Sequence, residues 1–150
     1  MNREIKFRGK TKPTEKSPEG IWLNGSLITN NETGRCFIDY AFSGGFGNNG
    51  IWKGDEVIPE TIGQFTGKHD KDGKEIYEGD VISIGTIHKL IKFINERAAF
   101  CMANIDELHN DEWTDIWQCP SPKWWVDFNP EIEVIGNIHD NPELLTRKYE

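Results

Sequence analysis

The sequence has little cysteine and lacks long apolar runs. Its three cysteines, Cys36, Cys101 and Cys119, are widely spaced and include no C-x-x-C pair, which favours reduced thiols in an intracellular compartment. No charged and then apolar leader opens the chain, and no apolar run approaches the length that crosses a bilayer. We therefore expect a soluble, cytoplasmic protein with no membrane contact.

Positive charge is also scarce. The chain has 17 Lys and Arg against 25 Asp and Glu, a net charge of -8 and a pI near 5.0. The resulting negative field repels phosphate backbones and disfavours nucleic acid as a partner. A basic edge keeps single-strand binding open as an alternative, with tryptophans as stacking platforms. Its members are Arg3, Lys6, Arg8, Lys10 and Lys12.

Aromatic residues and turn formers are abundant. Six Trp and eight Phe argue against disorder, while 15 Gly and seven Pro indicate many turns between short elements. Alternating apolar and polar residues then predict strands, with a short helix after Pro142. The predicted strands cover residues 3–10, 21–28, 35–42, 75–84, 86–94, 97–106 and 131–138. A bend or bulge is expected at Gly85.

The charged stretch QFTGKHDKDGKEIYEGDVISI, residues 64–84, suggests a calcium loop at first sight. Aligning Gly73 with the invariant glycine of an EF-hand puts Lys68 and Gly79 where the essential carboxylate ligands belong. Both ends fail, so we predict no metal site. Asp72-Gly73 is instead a strong hairpin dipeptide, and charged residues keep such a turn solvated.

Residues 45–50 match G-x-G-x-x-G, the pattern of a nucleotide-binding turn. That turn needs a helix after it, because the helix N-terminus holds the pyrophosphate. Gly54 and Pro59 make a helix implausible there. We predict a loop, and no cofactor.

Candidate catalytic residues come from the same charged stretch: Glu75, Glu78, Asp80 and His69. In a continuous strand Glu78 and Asp80 share a face, which suits paired acid and base roles, with His69 or His139 as a partner. Solvent-facing acids at a hairpin end have the same spacing, and this is the interpretation we favour.

Four tryptophans fall between residues 113 and 125: Trp113, Trp117, Trp124 and Trp125. Tryptophan is a frequent anchor at interfaces because it buries a large area with few rotamers. On an extended segment Trp124 and Trp125 face opposite ways and cannot both enter one core. The cluster therefore predicts a binding surface, with an aromatic core as the alternative.

Four separated motifs stand out along the chain: REIKFRGK, GIWLNGSLI, VIPETIGQFTGKHDKDGKEIYEGDVI and EVIGNIHDNPELL. Together they resemble the motifs of the YopX family of phage and prophage proteins. Residues 30–56 and 85–130 carry no matching pattern. The family often has leucine where this chain has His69, so the resemblance assigns that histidine no catalytic role.

The resemblance implies an all-β accessory protein of a phage, acting in the bacterial host cell, with no activity to transfer. It suggests a small Src-homology-3-like barrel in residues 61–150, with a short C-terminal helix. Residues 1–60 would hold the N-terminal strands and the Gly-rich loop. We expect a non-enzymatic binding module that acts on a host or phage protein and self-associates into a homo-oligomer. A small hydrolase and a single-strand-binding barrel are the alternatives.

Overall fold

A computed structural model describes residues 3–43, 51–108 and 116–146, without the side chains of residues 41–43 and 51–53. These residues form ten β-strands and one α-helix, which confirms the all-β class. The elements are β1 (Phe7–Lys10), β2 (Trp22–Thr29), β3 (Cys36–Ser43), β4 (Ile51–Val57), β5 (Gly63–His69), β6 (Glu75–Tyr77), β7 (Asp80–Ile84), β8 (Ile87–Ile94), β9 (Ala99–Asn104), α1 (Pro122–Phe128) and β10 (Ile132–Asn137). A 3-10 turn, Pro142–Leu145, forms where we predicted the short C-terminal helix. The Gly-rich loop lies outside the described residues.

The chain divides into two compact units, Met1–Phe65 and Thr66–Glu150. In the first unit the antiparallel strand order is β4-β3-β2-β1-β5. Its core is built on Ile38, Val57 and Cys36, which point to the same face of the sheet. No strand was predicted at β4. Gly54 obscured it, yet a side chain there would meet the Ile38 carbonyl at 2.7 Å, so the glycine permits close pairing with β3.

The second unit contains a four-stranded antiparallel sheet in the order β10-β7-β8-β9. Apolar side chains pack on both of its faces. One face carries Ile82, Ile91 and Met102, against which the tryptophans of α1 pack. The other carries Val81 and Leu90 and is covered by residues around Ile105, Trp117 and Leu144.

The strand pairings of the described residues do not close the barrel that we expected. They form sheets of six and four strands, and β5 continues from the first unit into the second, where it pairs with β6. The predicted strand 75–84 is also divided, because Gly79 has a φ of 91° and turns the chain between β6 and β7. The bend at Gly85 is confirmed, with a φ of 61° between β7 and β8.

A disulfide joins Cys101 to Cys119, with Cα atoms 4.5 Å apart, whereas Cys36 is free and buried. The inference of reduced thiols is therefore wrong for two of the three cysteines. Wide spacing in sequence concealed the pair. Met102 and Gln118 exchange backbone hydrogen bonds of 2.9 and 2.8 Å, which bring the two cysteines next to them together.

Candidate functional site

The turn between β6 and β7 holds two of the candidate catalytic carboxylates. Asp80 is buried, and its Oδ2 accepts a 2.7 Å hydrogen bond from the Tyr77 backbone N–H. The Oε2 of Glu78 accepts a hydrogen bond from a different amide, the Phe93 backbone N–H, at 3.1 Å. Since the strand breaks at Gly79, the shared face that suggested an acid and base pair does not form. Each carboxylate instead binds a different backbone amide, which gives it a structural task.

The remaining catalytic candidates lie on neighbouring strands. Glu75 is half-buried at the start of β6, and His69 is exposed at the end of β5. A general base must reach the proton it removes, and Asp80 is only 1% exposed. Among residues 3–43, 51–108 and 116–146, no three His, Cys, Asp or Glu side chains lie close enough to hold a metal ion.

The Asp72-Gly73 turn between β5 and β6 is organised by a buried carboxylate, Asp70. Its Oδ1 accepts from the backbone N–H groups of Asp72 and Lys74, both at 2.9 Å. Its Oδ2 accepts from the Val134 N–H of β10 at 3.0 Å. Burial raises the pKa of Asp70, but these three amides and the Lys74 charge outweigh it, so the pKa is lowered overall. Asp70 thus stabilises the fold of the hairpin and its attachment to β10.

Helix α1 begins with a helix-start signal in the sequence. The Oγ of Ser121 accepts from the Trp124 N–H at 3.2 Å, and Pro122 occupies the first helical position. In a helix, adjacent residues are about 100° apart, so Trp124 and Trp125 both reach the core cluster that contains Ile82. The premise of an extended segment with opposed tryptophans is therefore wrong.

The outer side of α1 carries exposed apolar residues. Val126 is 75% exposed and Phe128 is 38% exposed. Val126 is one of the residues that line a shallow groove of about 400 Å³. The lining residues are Gly67, Lys68, His69, Trp125, Val126 and Asn129. The Asn129 side chain donates a 2.8 Å hydrogen bond to the His69 carbonyl, which ties the end of the helix to β5. We call this surface, with Phe128, the α1 surface.

The tryptophan rings of α1 are engaged by neighbouring groups. The Nζ of Lys68 lies 5.7 Å from the centre of the Trp125 ring, within range of a cation–π interaction. The Trp124 ring lies 5.0 Å from that of Phe128 at a tilt of 32°, and 5.2 Å from that of Trp125, edge to face. Trp124 thus packs against the core, whereas Trp125 contributes both to the core and to the wall of the groove.

The other two tryptophans of the predicted cluster lie elsewhere. Trp117 is half-buried against the cluster around Val81, and the Nζ of Lys92 lies 6.0 Å from the centre of its ring. Lys89 helps to hold the same segment, since its Nζ donates to Gln118 Oε1 at 3.2 Å. Trp113 is outside the described residues. A binding role for the four tryptophans remains a prediction.

The basic edge of the first unit is laid over aromatic rings. Arg8 and Lys10 lie 4.8 and 5.8 Å from the centre of the Trp22 ring, and Lys6 lies 5.1 Å from that of Phe65. Arg8 is buried. This row is therefore not a simple exposed track for a phosphate backbone.

Sequence reasoning missed five members of the α1 surface: Gly67, Lys68, Val126, Phe128 and Asn129. Ser121-Pro122 was the available signal, because it predicts a helix start and so the outward direction of Val126. Nothing in the sequence predicts that Lys68 lies over Trp125, since that contact depends on how β5 and α1 pack in the second unit.

Residues 6–146 match the family model described as YopX protein. The chain belongs to the YopX family. A similar solved structure is the crystal structure of protein EF1440 from Enterococcus faecalis, 23% identical, with a TM-score of 0.61 and coverage of 97% of this chain and 100% of that chain. At this identity the likeness shows the fold alone.

No curated protein matches the sequence. Within the described part of the chain, no helix has the length and apolar character needed to cross a membrane. The descriptions of the family and of the similar solved structure name no activity.

Proposed function

We propose that this YopX-family protein is a phage or prophage accessory protein that works in the bacterial cytoplasm as a non-enzymatic binding module. It acts on a host or phage protein through the α1 surface. The observation that carries the proposal is Val126, which is 75% exposed beside a groove walled by Trp125. An exposed apolar residue next to an aromatic wall is typical of a docking surface, because covering both removes apolar area from water.

A protein partner fits this surface better than nucleic acid. Stacking of bases needs open aromatic faces, but Lys68 lies over Trp125, and Trp124 stacks on Phe128. The net charge of -8 also repels phosphates. The exposed Val126 offers aliphatic contact, which suits a protein side chain.

The carboxylates support a binding role over a hydrolase. Asp80 and Glu78 accept backbone hydrogen bonds that shape the β6–β7 turn, and neither lines the groove beside α1. Removal of an acid that holds a buried amide alters the fold before it alters any chemistry.

Self-association is part of the proposal. The α1 surface is rimmed by the ion pair Lys123–Asp127, at 2.6 Å, and an apolar centre with a charged rim is the usual anatomy of a protein interface. Light scattering of the purified protein tests it. A uniform monomer at all concentrations would remove self-association from the proposal.

Affinity capture from infected or lysogenic cells tests partner binding. Wild type is compared with Val126→Asp, which places a charge on the α1 surface, and with Ile87→Asp. Ile87 is a matched control because it is 50% exposed in the same unit but lies at the β7–β8 turn. We expect Ile87→Asp to retain a partner that Val126→Asp loses. Loss of the same partner from both variants, or from neither, would contradict the proposal.

A further inference from the structure

The groove beside α1 has an apolar wall and a basic end. Trp125 and Val126 form the wall, and Lys68 with the exposed His69 lies at the β5 side. Among the residues that the structure describes, six line the groove and none of them is acidic, although the chain carries a net charge of -8. The groove therefore differs in charge from the average surface of the molecule.

Two acids of α1 and β10, Asp127 and Glu133, are paired with lysines other than Lys68. Asp127, next to Val126 in the helix, pairs with Lys123 at 2.6 Å. Glu133 of β10 pairs with Lys71 at 3.5 Å. Across residues 3–43, 51–108 and 116–146, no carboxylate forms a salt bridge with Lys68. Its ammonium remains available to an anion on the side away from the Trp125 ring.

An occupant of this groove needs two different chemical groups. A carboxylate can pair with Lys68, because a cation held over an indole ring still presents donors to solvent. A small anion alone would leave Val126 exposed, and covering that side chain requires an apolar group. One occupant that carries both is a peptide segment with an acidic residue close to a large apolar one.

We infer that the groove beside α1 binds a segment of another protein that presents an acidic side chain near an apolar anchor. This inference rests on the proposed function and specifies its partner. The anchor covers Val126 and the edge of Trp125, and the carboxylate pairs with Lys68. The apolar contact supplies affinity, and the charge pair supplies selectivity and a faster encounter. Salt should therefore weaken binding by slowing association.

Selection from a displayed library of random short peptides on the full-length protein tests the inference without a known partner. Enriched peptides are synthesised, labelled and titrated against wild type, Lys68→Glu, Val126→Asp and Lys16→Glu. Lys16 is an exposed lysine in the loop before β2, so Lys16→Glu makes the same charge change away from the groove. Thermal unfolding of each variant verifies that it is folded.

We expect enriched peptides of net negative charge with an aromatic or branched aliphatic residue near an acid. Lys68→Glu should weaken their binding by about fivefold, and Lys16→Glu should leave it unchanged. Replacing the acidic residues of a peptide by lysine should restore its binding to Lys68→Glu. Neutral or basic enriched peptides, or equal affinities for wild type and Lys68→Glu, would overturn the inference.

The outcomes separate this inference from the proposed function. Loss of binding in Val126→Asp, with no effect of Lys68→Glu, would leave the α1 surface as a docking site and remove the acidic preference. No effect of either variant would remove both. Enriched peptides that match a segment of this chain, such as the exposed acids Asp106 and Glu107 beside Leu108, would assign the groove to the proposed self-association and overturn the inference of a foreign partner there.

Discussion

The Asp70 carboxylate lies 3.0 Å from the Val134 backbone nitrogen and binds the β5–β6 hairpin to β10 across 64 residues of chain. The same carboxylate accepts from Asp72 and Lys74 within the hairpin. A stretch that looks like a metal loop in sequence is therefore closed by one buried acid and three backbone amides. The side chains of Asp72 and Lys74 next to it are exposed to solvent.

Asp70→Asn should lower the free energy of unfolding by about 2 to 3 kcal/mol, because an amide nitrogen faces a backbone N–H in place of one carboxylate oxygen. The lowered pKa of Asp70 fixes the sign of the pH effect. The folded state favours the carboxylate, so this stabilisation is complete above about pH 4 and is lost as pH falls through the lower folded pKa. Chemical denaturation of both proteins at neutral and acidic pH measures it. A difference between them that grows on acidification would contradict this account.

Asp80→Ala should lower stability by about 1 to 3 kcal/mol, because the buried Tyr77 N–H loses its acceptor. Glu96→Ala, which removes an exposed acid from the turn before β9, is the matched control and should be within about 0.5 kcal/mol of wild type. Equal stabilities for the two variants, measured by chemical denaturation, would show that the β6–β7 turn does not depend on Asp80.

Sequence patterns predicted the strands well where the alternation of apolar and polar residues is regular. Alternation of apolar and polar residues located β2, β3, β7, β8 and β9, and Gly85 located the turn between β7 and β8. They failed at α1, since two prolines and four tryptophans nearby suggested an irregular extended segment. Ser121 as N-cap and Pro122 at the first position were the local signals for a helix, and tertiary packing of Trp124 and Trp125 supplies the rest.

Contacts between residues far apart in the chain could not be predicted from the sequence. The Cys101–Cys119 disulfide depends on the docking of residues 116–119 beside β9, and the Lys68–Trp125 contact depends on the packing of β5 against α1. The carboxylates Glu78 and Asp80 were identified, but their roles were not. The turn at Gly79 separates the two side chains, and each accepts a hydrogen bond from a different backbone amide.

Reduction of the disulfide should lower the melting temperature and the free energy of unfolding, the latter by about 3 kcal/mol, because the bridge closes a loop over an 18-residue separation. Cys119→Ser should behave like the reduced wild-type protein and show no further response to dithiothreitol. Thermal melts with and without the reductant test both statements. An unchanged wild-type melt after complete reduction, verified by thiol titration, would contradict them.

The two sides of α1 should respond differently to substitution. Trp125→Ala should lower the free energy of unfolding by about 3 kcal/mol, because the side chain packs against the core cluster that contains Ile82. Val126→Asp should change it by less than about 0.5 kcal/mol, since Val126 is exposed. Chemical denaturation compares them. Strong destabilisation by Val126→Asp would mean that this residue is part of the core.

The most direct test of the α1 surface is a titration of the purified, captured partner against wild type, Val126→Asp and Ile87→Asp. We predict that Val126→Asp raises Kd by at least about tenfold, because a buried charge faces the apolar contact, while Ile87→Asp binds as wild type does. Equal Kd values for wild type and Val126→Asp would contradict the claim that the protein binds its partner through α1.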